Sequence, residues 1–238
     1  MKKVFFLFAL VGFFNSSFGQ DLKNKIEINT HASDHFLIQF SSDHWTAAPD
    51  SIQSRIKSVS RGANFYFMID KPFASNKHFS VAFGGGVGTS SIFFNKLSVG
   101  INGTKPTLAF DKLDSTNHFK KYKLTTCFLE LPVEMRFSSN PANPDKSIKG
   151  AIGVKVGTLI NVHTKGKTLQ NASDNTINEF TEKTSSKSYF NTTRVMATAR
   201  LGYGNFSLFG AYNLNTMFKD KVAANMKLLQ LGLTISGL

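Results

Sequence analysis

The chain has 238 residues, a formal charge of +13, 41% hydrophobic residues and one cysteine. That length suits one large domain or two small ones, and the lone Cys127 excludes an intrachain disulfide framework. Mean hydropathy is slightly negative, which gives no bulk membrane signal yet leaves open a transmembrane β-barrel, where only alternate residues face lipid.

The first twenty residues, "MKKVFFLFALVGFFNSSFGQ", have the layout of a secretory signal: Lys2 and Lys3, an apolar run from Val4 to Phe14, then Ser17-Phe18-Gly19. The run is too short to cross a bilayer as a helix. Residues 1–19 are therefore expected to be a cleaved signal peptide and residues 20–238 the mature domain. Losing Lys2 and Lys3 lowers the charge from +13 to +11. An exported chain that basic meets anionic phospholipid headgroups, lipopolysaccharide or glycans; no nucleic-acid motif accompanies the charge, so no nucleic-acid partner is expected.

Beyond the signal, period-two alternation recurs where sustained helical periodicity does not. Strands are expected near 35–45, 60–70 and 77–94, with at most a short helical turn in "SIQSRIKS" (51–58). Within the third strand lies "VAFGGGVGTSS". A dinucleotide loop needs G-x-G-x-x-G followed by a helix, but Gly84, Gly86 and Gly88 are spaced G-x-G-x-G and no amphipathic helix follows. Phe79, Val81, Phe83 and Val87 alternate with them, so the three glycines fall on one face. They are expected to make room for long side chains such as Arg200 or Phe128.

Farther on, Cys127, Leu129, Leu131, Val133, Met135 and Phe137 oppose Thr126, Phe128, Glu130, Glu134 and Arg136. Ile148, Ile152, Val154, Val156, Ile160 and Val162 oppose Lys149, Lys155, Asn161 and His163. Val195 to Tyr203, Phe206 to Leu214 and Leu229 to Ile235 alternate in the same way, against Arg194, Arg200, Ser207, Gln230 and Thr234 among others. Short turn-like links (71–77, 138–147, 202–206) alternate with longer polar ones (about 46–59, 95–119, 164–188, 216–225).

Apolar residues thus share one face of each strand, and charged residues share the other with Gly and Ser. Small residues beside charged ones suit a crowded polar interior. The fold expected is all-β: a closed, antiparallel, up-and-down transmembrane β-barrel of about eight strands, with both termini on the periplasmic side. A soluble barrel with the faces reversed is the rival.

The segments "SRGANFYFMIDKPF", "HFSVAFGGGVGTSSIFF", "KKYKLTTCFLELPVEMRF", "AIGVKVGTLINVHTKGK", "ATARLGYGNFSLFGAYNLNTMF" and "LQLGLTISGL" together resemble the PorT-like outer-membrane β-barrel family, over about residues 33–238. The most telling is "FLELPVEMRF". The resemblance implies the outer membrane of a Gram-negative bacterium. It also implies, from the family's namesake, assistance to protein secretion and surface attachment. One departure from outer-membrane barrels is Leu238, where many carry an aromatic residue.

Glu130, Glu134, Arg136, Lys155, Arg194 and Arg200 are expected to point inward. Paired carboxylates suit acid/base catalysis, but charges in a tight interior must pair to be tolerated, so a structural ion-pair network is the stronger reading. Lys120, Lys121, Lys123, Lys165 and Lys167 concentrate where external loops meet strands, as candidate contacts for lipopolysaccharide phosphates. Trp45, Phe93 and Phe218 are candidates for an outer aromatic girdle, and Phe73, Phe137, Tyr203 and Phe206 for an inner one.

The histidines (His31, His35, His44, His78, His118, His163) form no metal-binding pattern, and no cofactor is expected. His163, Ser185 and Asp174 supply the residue types of a hydrolase, but without a nucleophile motif. The expected function is structural or interaction-based, with outer-membrane lipid and a secretion or envelope protein as partners. The alternatives are an outer-membrane enzyme acting on lipid or protein, and a soluble periplasmic barrel binding an apolar ligand.

Overall fold

A computed structural model describes residues 35–237; the predicted signal peptide and His31 lie outside them. Its strands run β1 (Phe36–Thr46), β2 (Arg61–Pro72), β3 (Phe79–Phe94), β4 (Leu97–Val99), β5 (Phe110–Lys112), β6 (His118–Ser138), β7 (Ile148–Gln170), β8 (Thr176–Ser185), β9 (Thr193–Tyr203), β10 (Phe206–Asn213) and β11 (Lys227–Ser236). One helical turn, α1 (Asp50–Gln53), follows β1.

Eight strands form a ring in the order β1-β2-β3-β6-β7-β9-β10-β11, every neighbour antiparallel. β11 pairs back onto β1, Leu37 opposite Ser236 and Thr46 opposite Lys227, so the sheet closes. Closure satisfies the backbone without water, which a strand in lipid requires.

Alternation sets which side chains face out. On β6, Leu129, Leu131, Val133, Met135 and Phe137 are 40–63% exposed, while Glu130, Glu134 and Arg136 between them are buried. From Leu129 to Phe137 the strand rises about 26 Å, or about 20 Å of height at the usual barrel tilt. Phe65, Phe83, Ile152, Leu201, Leu208 and Leu233 extend this exposed band around the ring.

Two expectations need correction. Val162 does not face out with Ile160; it is 1% exposed. Cys127 pairs with Asn161 and Phe128 with Leu159, which leaves Ile160 as an extra residue. This bulge shifts the period-two phase, so inward positions change from Lys155, Gly157 and Leu159 to Val162, Thr164 and Gly166. Asn161 and His163 consequently turn outward. Second, the longer polar link expected over 164–188 is largely strand. β7 continues to Gln170 and turns through 171–175 into β8, which pairs with its outer half. The 95–119 link likewise holds the small β4–β5 hairpin.

Candidate functional site

The strands aim their polar side chains into the lumen, where two ion clusters form. In the first, Glu130 accepts from Arg194 Nη2 at 2.5 Å and Nε at 3.0 Å, and from the Tyr66 hydroxyl at 2.5 Å. Lys155 Nζ lies 3.4 Å from the same carboxylate and donates to Tyr66 Oη at 3.1 Å. Gln230 links Lys155 to Asp43, which it reaches at 3.1 Å. In the second, Glu134 accepts from Arg136 Nε and Arg200 Nη2, each at 3.0 Å, and Arg136 lies 3.7 Å from Asp70. The Arg194 guanidinium also sits 3.9 Å over the Phe128 ring.

All six sequence-predicted lumen residues are brought together, three per cluster. Asp43, Tyr66 and Asp70 were missed, and Gln230 was read only as a polar-face residue, although parity places them: Asp43 shares its face with Gln39 and Ser41, and Tyr66 with Asn64 and Met68, all inward. The inward glycines open space for neighbours beyond those expected. A Cβ on Gly86 would lie 2.5 Å from Tyr66 Cδ1, one on Gly84 2.8 Å from Met68 Sδ, and one on Gly88 2.9 Å from Glu130 Cδ. The room serves the Glu130 cluster and Met68, and Gly88 lies directly opposite Phe128.

Above the clusters the outer end is closed by an apolar plug. Trp45, Phe94, Phe190 and Phe218 are at most 2% exposed and pack together, with ring centroids 5.0–5.8 Å apart in three edge-on or tilted pairs. Loop segments are tied across it: Asn191 Nδ2 donates to the Thr216 and Phe218 carbonyls at 2.9 and 2.8 Å, and Tyr189 reaches the Gly103 carbonyl at 2.7 Å. Trp45 and Phe218 therefore belong to the plug, not to an outer girdle.

Outside the ring, β6, β7 and β8 continue past the apolar band as a three-stranded sheet. Lys121 pairs with Lys167, and Lys123 with Lys165, which pairs in turn with Lys183. Directly opposite residues share a face, so these five lysines line one side; Lys120, adjoining a break in the ladder, is also exposed.

The sequence pattern described as outer membrane protein beta-barrel domain matches residues 18–219. The chain belongs to this outer membrane protein beta-barrel domain family. No curated protein matches it in sequence. Among solved structures, Ail, the attachment invasion locus protein of Yersinia pestis, is similar at 13% identity, with a TM-score of 0.38 over 84% of this chain and 94% of that one.

Membership decides which side of the wall meets lipid: the chain is an outer-membrane barrel, and its exposed apolar band faces the bilayer; barrels of this kind have short turns on the periplasmic side. Phe73, Phe137, Tyr203 and Phe206 are 39–66% exposed near those turns, as an inner girdle requires. At the outer rim Phe93 is flanked by Arg61 and Lys123, each 5.5 Å from its centroid.

The three hydrolase residues are not gathered into one site. His163 and Ser185 lie opposite each other across β7 and β8, and His163 Nδ1 donates to Asn161. Asp174 sits at the hairpin tip, bound by His118 at 2.9 Å and Lys96 at 3.1 Å. Those hydrogen bonds, from Lys96 first and then His118, hold its carboxyl below the usual carboxylate range. Asp114, bound by Arg55 at 2.5 Å, is lowered in the same way. Among the described residues no group of three His, Cys, Asp or Glu side chains is placed to hold a metal ion.

Proposed function

We propose that this protein is a sealed outer-membrane anchor of interaction type, whose extracellular sheet receives an extended segment of an exported protein during secretion or surface attachment. The observation that carries this reading is the β8 edge. Among the described residues β8 pairs only with β7, and nearly every residue from Thr176 to Ser185 is exposed, including Ile177 and Phe180. An edge of unpaired N–H and C=O groups is a template for strand addition.

The lumen supports the same conclusion by elimination. An eight-stranded barrel is just wide enough for side chains to fill, and two ion clusters and an aromatic plug lie in this one, so diffusion through it is not its purpose. The PorT-like resemblance supplies the secretion context.

The test is photo-crosslinking from Glu179 and Phe180 in whole cells, beside a deletion strain assayed for surface-attached and released proteins. An adduct with an exported or envelope protein, and depletion of surface proteins on deletion, are expected. No adduct together with an unchanged secreted set overturns the reading. So does steady ion conductance of the purified protein in planar bilayers.

A further inference from the structure

We propose that the outward face of the β6–β7–β8 sheet, beyond the apolar band, is a binding site for the phosphate groups of lipopolysaccharide in the outer leaflet. It does not rest on the secretion reading: the strand edge and the lysine face are different surfaces of the sheet.

The first observation is an arrangement that disfavours itself. Lys121 faces Lys167, Lys123 faces Lys165 and Lys165 faces Lys183. Like charges directly opposite on neighbouring strands repel. Among the described residues none of these five lysines has a carboxylate within 4 Å, although Glu179 is nearby. Two cations of neighbouring loops do have carboxylate partners, Arg55 with Asp114 and Lys96 with Asp174. The ladder is a set of cations waiting for an anion that the chain does not supply.

The second observation is height. Lys123 lies six residues beyond Leu129, and Lys165 five beyond Ile160, the last strongly exposed apolar side chains on their strands. At about 3.3 Å per residue and the usual tilt, that is about 13–15 Å above the end of the band. Lysine stems reach downward toward an interface, so the ammonium groups meet the headgroup layer rather than hydrocarbon. Phe93, between Arg61 and Lys123 on the same wall, marks this boundary.

The third is spacing. Neighbouring strands lie about 4.8 Å apart, so Lys123, Lys165 and Lys183 span about 10 Å, and adjacent ammonium groups can share one phosphate. A molecule with several phosphates then engages several pairs at once. By parity along β6, the face continues the outward side that carries Leu129 and Leu131 in the wall below. That favours a lipid-borne phosphate over a soluble one.

The test uses the full protein in phosphatidylethanolamine nanodiscs containing bisphosphorylated lipid A, dephosphorylated lipid A or neither, with bound lipid read by native mass spectrometry. The variant K123Q/K165Q/K183Q should lose at least tenfold in affinity for bisphosphorylated lipid A and keep its heat-modifiable migration. The parent should discriminate against the dephosphorylated form by a similar factor, a comparison that holds even if the variant does not fold. Equal binding of the two lipid forms by the parent, or undiminished affinity in a folded variant, overturns the proposal. Inorganic pyrophosphate added to lipid-A-free discs should bind more weakly than lipid A; tighter binding would assign the site to a soluble phosphate and overturn the lipid assignment.

Discussion

Replacing Glu130 with Gln removes a negative charge while keeping side-chain volume, so it isolates the electrostatic part of the lumen network. Glu130 is 1% exposed, and the two cations that lean on it, Arg194 and Lys155, are 3% and 2% exposed. Arg194 has both its bonds to the same carboxylate oxygen, at 2.5 and 3.0 Å. Neutralising that carboxylate leaves a buried guanidinium without its anion, a loss of about 3–5 kcal/mol. In a domain of this size 1 kcal/mol moves the melting temperature by roughly 2–4 °C, so a drop of roughly 6–20 °C is expected. The assay is heat-modifiable gel migration against temperature, with urea unfolding in lipid vesicles as a second measure. The double variant Glu130→Gln/Arg194→Met should recover part of the loss, because it removes the orphaned charge as well. A single variant that melts within about 2 °C of the parent would refute the reasoning, because the lumen cations would then be balanced by something other than Glu130.

Two further outcomes follow from the same geometry. Gly86→Ala should give no folded band, since its Cβ would lie 2.5 Å from Tyr66 Cδ1 and 2.7 Å from Tyr66 Cα in a closed ladder, whereas Gly85→Ala, whose Cβ meets only Leu131 Cδ2 at 3.7 Å, should fold as the parent does; the opposite ranking would sink the inward assignment of Gly86. At the β7–β8 tip, the lowered Asp174 carboxyl predicts a contact fully present above the ordinary aspartate value of about 3.9 and lost only as pH falls through the lower folded value. Amide protection over residues 171–175 should therefore hold at about pH 5 and fall in Asp174→Asn at neutral pH; loss of parent protection between about pH 6 and pH 5 would contradict the linkage.

The membrane-crossing part of the fold was legible because lipid imposes a rule on every second residue. Leu129 to Phe137 and Leu229 to Ile235 alternate cleanly because one face meets hydrocarbon and the other the polar lumen. That constraint stops at the rim. "TINEFTEKTS" of β8 is exposed on both faces, so no hydrophobic period marks it as a strand, and Lys183 went unnoticed with it. The bulge at Ile160 left no trace either: an extra isoleucine beside Leu159 and Val162 reads as a continued apolar run. Trp45 was readable and misread. It shares parity with Ser41 and Asp43, which places it inside with them; its position at a strand end suggested a girdle. Phe218 has no strand parity to consult; its ring contacts with Trp45 and Phe190 show where it packs.

The same residue type is handled in two ways along β7, and the difference bears on the protein's surplus of positive charge. Lys155 is inside, where no outside ion reaches it, and Glu130 lies 3.4 Å away. Lys165 and Lys167, ten and twelve residues later, are on the outer wall, and each faces another lysine. A surface tuned for solubility intersperses both signs. Here Glu182, next in sequence to Lys183, pairs with Gly166 and so turns to the other side of the sheet. Opposite-charge pairing across these strands was available by a one-residue shift of sequence, yet the lysines are stacked in register. The chain matches Lys155 internally, whereas the stacked lysines have no carboxylate within 4 Å among the described residues, which is the arrangement the proposed lipid-phosphate site requires.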